Sequence, residues 1–189
     1  MKNIWFKLVL IFLMFILSKK IFTIFFGVYT ADGFSMRPNF EDKETYFVYP
    51  DYYKQNKINY GDVVVLKFKN EKGEFIKRVV GLPNDKVEIK NGVLLLNDKK
   101  KSSEKEIEMN IFLESITPKV SYKILNIEKN SKDFNFKSFT IPKDNFFLLG
   151  DNRQNSADSR DYGVVKRDNI LHKVIPKNNF IYNFIFFFS

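Results

Sequence analysis

The chain has no cysteine. That excludes disulfides, thiolate catalysis and cysteine-based zinc sites. It does not fix a compartment, because an exported chain can simply lack disulfides. Histidine is nearly absent too, with His172 alone near the C-terminus. There is no internal repeat, and no long amphipathic helix follows the N-terminal region. No clustered glycines form a phosphate-cradling loop. The loop from Asp151 fails as a calcium loop: its sixth position is Ser156 instead of Gly, and its twelfth is Tyr162 instead of Glu. No metal and no cofactor are implied.

What remains is a chain of 189 residues, 44% hydrophobic and 28% charged. That is an ordered composition, one domain in length, with enough chain for a real core beyond any membrane anchor. The net charge is +9. The densest lysine run, residues 98–105, also carries Asp98 and Glu104. It reads as a solvated loop and not as a phosphate track, so no nucleic-acid partner is expected. A basic surface beside anionic lipid fits better.

Residues 8–18, LVLIFLMFILS, are almost purely apolar, with Lys2 and Lys7 before them and Lys19 and Lys20 after. No small-x-small cleavage site follows, and no polar face marks a core helix. The stretch predicts a membrane helix from about Asn3 to Ser18, with lysines snorkelling at both ends. Lysines flank both ends, so charge alone does not set orientation. The expected division is an anchor over 1–20 and a catalytic domain over 21–189. Residues 21–30, rich in Phe, Ile, Val, Tyr and Thr, read as strand. Further strands are expected in 61–68, 74–83, 121–127, 138–142 and 145–150. Residues 85–97 read as a hairpin around Asn91-Gly92. Residues 98–120 are expected as a surface excursion. The C-terminal run 180–188 reads as a buried strand or a second interfacial contact.

Three stretches could carry chemistry. In GFSMRPNF, 33–40, Gly33 permits close backbone approach, Met36 offers adaptable apolar surface, and Pro38 restrains the residue before it. Ser35 is either a turn serine or a nucleophile. A nucleophile needs a base, and the one histidine is far away in sequence. Lysine is then the economical choice, although its ordinary pKa is about 10.4. Lowering that by three units costs on the order of 4 kcal/mol, which burial among apolar groups can impose. In EFIKRVV, a strand places Phe75, Lys77 and Val79 on one face and Ile76, Arg78 and Val80 on the other. Lys77 is thus a candidate base, or an edge-strand lysine that blocks aggregation. The third stretch, GDNRQNSADSRDYG at 150–163, is rich in aspartate, arginine and serine. It reads as a buried network in which Asp158 can pair with Arg160, and a serine can orient a neutral lysine.

Together the stretches resemble type I signal peptidases, the membrane-bound Ser-Lys endopeptidases of bacteria. The likeness runs in order: apolar anchor, GFSMRP, GDVVVLKF, FIKRVVGLPND, FFLLGDNRQNSADSRDYG. It implies a mostly β, antiparallel, barrel-like catalytic domain behind one transmembrane helix. Ser35 would be the nucleophile and Lys77 the general base. Ser156 would hydrogen-bond Lys77, and Asp158 and Arg160 would form a supporting pair. Arg78 and Asp85 would support the strand and the following turn, while Gly150, Asp151, Asn152 and Arg153 shape the site. Substrate would lie as an extended strand along Asp32, Gly33, Phe34, Met36 and Pro38 on one side, and Phe75 and Ile76 on the other. The implied partners are exported preproteins, membrane lipid and the export machinery. The implied location is the bacterial cytoplasmic membrane, single-pass, with the catalytic domain outside.

Three positions depart from the family's usual pattern: Asn39 replaces Thr, Asn84 replaces Gly, and no Gly stands near His172. Gly33 stands where some members supply a serine as second oxyanion donor. Rival classes are a degenerate membrane-anchored binding module and the self-cleaving repressors. The repressors cut at Ala-Gly or Cys-Gly bonds. Here both alanines, Ala31 and Ala157, precede aspartate. The eukaryotic branch carries His at the position of Lys77.

Overall fold

The structure, a computed structural model, describes residues 2–100, 102–126 and 135–177. The apolar run 180–188 lies outside them. Helix α1 (Lys2–Phe25) leads to β1 (Gly27–Thr30) and β2 (Thr45–Pro50). After the one-turn helix α2 (Tyr52–Gln55) come β3 (Val63–Leu66), β4 (Phe75–Gly81), β5 (Lys86–Lys90), β6 (Val93–Leu96) and β7 (Lys99–Lys100). Next are β8 (Ser102–Glu108), β9 (Ile111–Thr117), β10 (Val120–Leu125), β11 (Phe136–Thr140) and β12 (Asn145–Leu149). A second one-turn helix, α3 (Ser159–Tyr162), precedes β13 (Val165–Lys166) and β14 (Ile170–Val174).

The strands form three sheets. A seven-stranded sheet has the order β1-β2-β14-β3-β4-β12-β13, a four-stranded sheet β11-β5-β6-β7, and a three-stranded sheet β10-β9-β8. The strand pairs are antiparallel. The expected hairpin forms between β5 and β6. Asn91 and Gly92 both take positive φ, 51° and 73°, as a tight two-residue turn demands. Asn84 also adopts a positive φ, 70°, which asparagine tolerates in place of glycine.

Strand β4 lies inside the large sheet, between β3 and β12. Both its faces are covered, so Ile76, Lys77, Arg78, Val79 and Val80 are all buried. The alternative of an edge-strand lysine does not hold. One apolar cluster groups Met36, Phe40, Val63, Val65 and Ile76. A second lies where the small sheets meet β4 and β12, around Val80, Val87, Ile116, Ile124 and Phe147.

Two expectations need correction. The strand predicted over 21–30 begins only at Gly27, and α1 runs on to Phe25. Phe and Ile accept either state, and lengthening an existing helix avoids the cost of a new nucleus. Among the described residues no helix is long and apolar enough to cross a membrane. Side chains 4–17 of α1 are nevertheless all exposed, and all but Lys7 are apolar.

The second correction concerns 98–120, which is more than a surface excursion. Strand β9 alternates strictly, burying Phe112, Glu114 and Ile116. A glutamate at one of the inward positions masks that alternation in the sequence.

Gly81 ends β4 under tight packing. A Cβ there would stand 2.5 Å from Ile141 Cδ1 and 3.1 Å from Phe147 Cβ. Gly81→Ala is expected to cost roughly 1–3 kcal/mol by overpacking. A lower urea midpoint would register it, and an unchanged midpoint would contradict the packing described.

Candidate active site

Three segments meet around one lysine. The first is the turn at 33–40, which follows β1. Gly33 has φ 92°, and its N–H donates to Asp42 Oδ1 at 2.7 Å. A Cβ at Gly33 would touch nothing, so it is the backbone conformation that calls for glycine. Met36 turns into the core at 3% exposure, while Phe34 stays 43% exposed. Within the turn the Arg37–Pro38 peptide is cis.

The second segment is β4. The Lys77 amine donates to Ser35 Oγ at 2.9 Å and to the Ile76 carbonyl at 3.0 Å. Lys77 is only 2% exposed. Burial lowers its pKa to about 8, against the opposing pull of Asp158 and Asp151 and with some help from Arg160. The sequence-expected pair Ser35 and Lys77 is therefore brought together, with the amine close to neutral pH.

The third segment follows β12. The Asn152 N–H donates to the Ser35 carbonyl at 3.0 Å, and Asn152 Nδ2 to the Phe34 carbonyl at 3.1 Å. Asp158 accepts from Arg160 Nε and Nη2, both at 2.8 Å, and from the Gly150 N–H at 3.0 Å. It also caps α3 in a reciprocal capping box with Asp161. Ser156 is the exception. Its buried hydroxyl has no hydrogen-bond partner among the described residues. The expected bond to Lys77 is not made, because the amine turns to the Ile76 carbonyl. Ser156 instead packs on Gly150, where a Cβ would come within 2.1 Å of its Oγ and 2.5 Å of the Ser35 carbonyl oxygen.

On the opposite face of β4, Arg78 makes a buried two-pronged pair with Asp151, at 2.7 and 2.6 Å. The Arg78 guanidinium also stacks 4.1 Å over the Tyr122 ring. Asp85 accepts from the Leu82 N–H and Tyr60 hydroxyl at 2.7 Å and from Asn97 at 2.8 Å, fixing the turn after β4.

Sequence reasoning missed Glu114. It is fully buried and grips Arg153 at 2.9 and 2.5 Å, and it accepts from Tyr122 at 2.6 Å. The signal that could have found it is a lone acid midway between Phe112 and Ile116 in an alternating run. Asn39, noted only as a departure, bridges Lys123 O at 2.7 Å and Asp151 Oδ2 at 2.8 Å.

A cleft of about 160 Å³ opens beside Ser35 and Lys77. Ala31, Asp32, Gly33 and Met36 form one wall, and Glu74, Phe75 and Ile76 the other. Of the residues expected to touch substrate, Phe34 and Pro38 do not line it. Among the described residues no three carboxylate or histidine side chains are grouped to hold a metal ion.

The family described as signal peptidase, peptidase S26, matches residues 3–177. The chain belongs to the signal peptidase family. It is similar to signal peptidase IB of Staphylococcus aureus, 37% identical over 176 residues that cover 91% of this chain and 87% of that protein. It is 33% identical to signal peptidase I P of Bacillus subtilis subsp. natto over 168 residues, covering 88% of this chain and 83% of that one. A solved signal peptidase I from Enterococcus faecalis is 24% identical with a TM-score of 0.41, covering 64% of this chain and 97% of its own.

Gly150→Ala is expected to lower activity at least tenfold, because the added methyl presses on the carbonyl of the nucleophile's own residue. Side-by-side turnover and urea unfolding check this. Normal turnover would contradict the contact.

Proposed function

We propose that this protein is the serine endopeptidase its family membership indicates, removing signal peptides from exported preproteins, with Ser35 as nucleophile and Lys77 as general base. The observation that carries the roles is the 2.9 Å contact between a serine hydroxyl and a lysine amine buried enough to be neutral near pH 8. A module that had lost its chemistry has no need of a desolvated amine at that distance.

Neutral Lys77 takes the Ser35 proton as Oγ attacks the scissile carbonyl. The oxyanion meets the backbone N–H of Ser35. As the tetrahedral intermediate collapses, the carbon–nitrogen bond breaks and Lys77 passes its proton to the leaving amine. Water, deprotonated by the same lysine, then attacks the ester, and Ser35 recovers its hydroxyl. Ser156, Asp158, Arg160, Asp151, Asn152 and Arg153 hold the two groups in register. Substrate enters the cleft as an extended strand between residues 31–33 and 74–76.

The membrane belongs to this reading. The exposed apolar side chains of α1 require cover, and lipid fits a helix with no polar face. Val28 and Phe34, exposed at 62% and 43%, extend that apolar surface toward the site. Ser35 follows the end of α1 by only ten residues, so the site lies close to the lipid surface. Function on exported preproteins places the catalytic domain outside the cytoplasmic membrane, within reach of the export machinery.

The test is cleavage of a preprotein in detergent. Ser35→Ala, Lys77→Ala and Lys77→Arg are each expected to reduce kcat/KM by at least a thousandfold while remaining folded. Arginine fails because it cannot become neutral. Full activity in Lys77→Arg would remove lysine from the base role.

The pH dependence has a definite sign. Below the Lys77 pKa the amine is charged and cannot accept a proton, so activity rises with pH and levels off above about 8. A profile flat through that range would contradict a lysine base.

A further inference from the structure

The turn that carries Ser35 closes on itself through its backbone. The Arg37 N–H donates to the Phe34 carbonyl at 3.2 Å, and the Asn39 and Phe40 N–H groups both donate to the Met36 carbonyl at 3.1 Å. The side chain of Asn39 is therefore not needed to shape the turn. It reaches outward instead, to two other parts of the fold.

Asn39 Nδ2 donates to the Lys123 carbonyl at 2.7 Å and to Asp151 Oδ2 at 2.8 Å. A backbone carbonyl and a carboxylate paired with Arg78 can only accept, so the nitrogen end of the amide must face them. That nitrogen carries two hydrogens, one for each acceptor. A hydroxyl in its place carries one and could serve only one of them.

The two acceptors belong to separate pieces of the molecule. Lys123 lies on β10, the edge strand of the three-stranded sheet. Asp151 is 1% exposed and holds Arg78 of β4. The residue after it, Asn152, grips the other end of the turn through the Ser35 and Phe34 carbonyls, at 3.0 and 3.1 Å. The turn is thus pinned at both ends, and Asn39 is the second pin. The cleft wall has supports of its own. The Lys43 N–H donates to the Ala31 carbonyl at 2.8 Å, and the Gly33 N–H donates to Asp42. Releasing Asn39 should therefore loosen Ser35 and leave that wall in place.

We propose that Asn39 is a positioning residue: its two side-chain hydrogens clamp the nucleophile turn to buried Asp151 and to the edge of the three-stranded sheet, and so keep Ser35 against Lys77. This rests on Ser35 being the nucleophile.

The experiment uses the full chain in detergent and one signal-peptide substrate. Asn39→Leu keeps the approximate volume and removes both hydrogens, while Asn39→Thr keeps one. In Asn39→Leu kcat is expected to fall roughly thirtyfold, as a sub-ångström displacement of the nucleophile would impose. KM should stay within about twofold, and Asn39→Thr should fall between the two in kcat. Amide hydrogen exchange gives a readout apart from activity. The Asn152 amide, whose acceptor is the Ser35 carbonyl, should exchange faster in both variants. The Asn97 amide, which closes the β5–β6 hairpin on Lys86, should not change. Faster exchange at both amides would mean a general loss of stability and overturns the positioning role. So does wild-type kcat in Asn39→Leu, or a loss confined to KM. If Asn39→Leu does not fold, Asn39→Thr decides: wild-type kcat with unchanged Asn152 exchange overturns the clamp. A wild type that cuts no preprotein removes the proposed function, and this inference with it; a wild type that cuts while both variants match it removes this inference alone.

Discussion

The site depends on keeping water away from one amine. Lys77 is only useful uncharged, and an exposed lysine is charged at neutral pH. Bringing its pKa to about 8 costs about 3 kcal/mol in the stability of the ammonium form. The fold supplies that by placing Lys77 on an interior strand, with β3 and β12 closing both edges. The nearest acids would undo the effect if left bare. Asp158 is spent on Arg160, and Asp151 on Arg78, so each carboxylate already has a cation of its own.

Around that centre, further ties run through groups that do not react. Asn152 holds the Ser35 turn through two carbonyls, and Asn39 ties the same turn to Asp151. Gly150 lets Ser156 and Ser35 approach within a distance that no side chain would permit. The small sheet joins in through the parallel bridge between Leu125 and Asn152 and through the buried Glu114–Arg153 pair. Losing one member of that pair would strand a buried charge, so the outlying hairpin is coupled to the stability of the site.

Much of this was readable in the residues. The alternation around Lys77 gave its buried face, Asn91-Gly92 gave a hairpin, and the 150–163 loop announced a network through its matched charges. Three features were not legible, for physical reasons. Phe and Ile between Lys20 and Phe25 suit strand or helix equally, and the helix already running settled the matter. The alternation in β9 was hidden because its partner for Glu114, Arg153, lies 39 residues away. Ser156 was assigned a bond to Lys77 by likeness, whereas the amine's second contact is the adjacent carbonyl of Ile76. Sequence pattern reports faces and turns well. It reports poorly which of several nearby acceptors a flexible amine will choose.

The most direct test is the titration of the Lys77 amine itself, followed by NMR in protein labelled at lysine. The account predicts a midpoint near 8. A midpoint near the ordinary 10.5 would mean that the amine is hydrated, and Ser35 would then have no base.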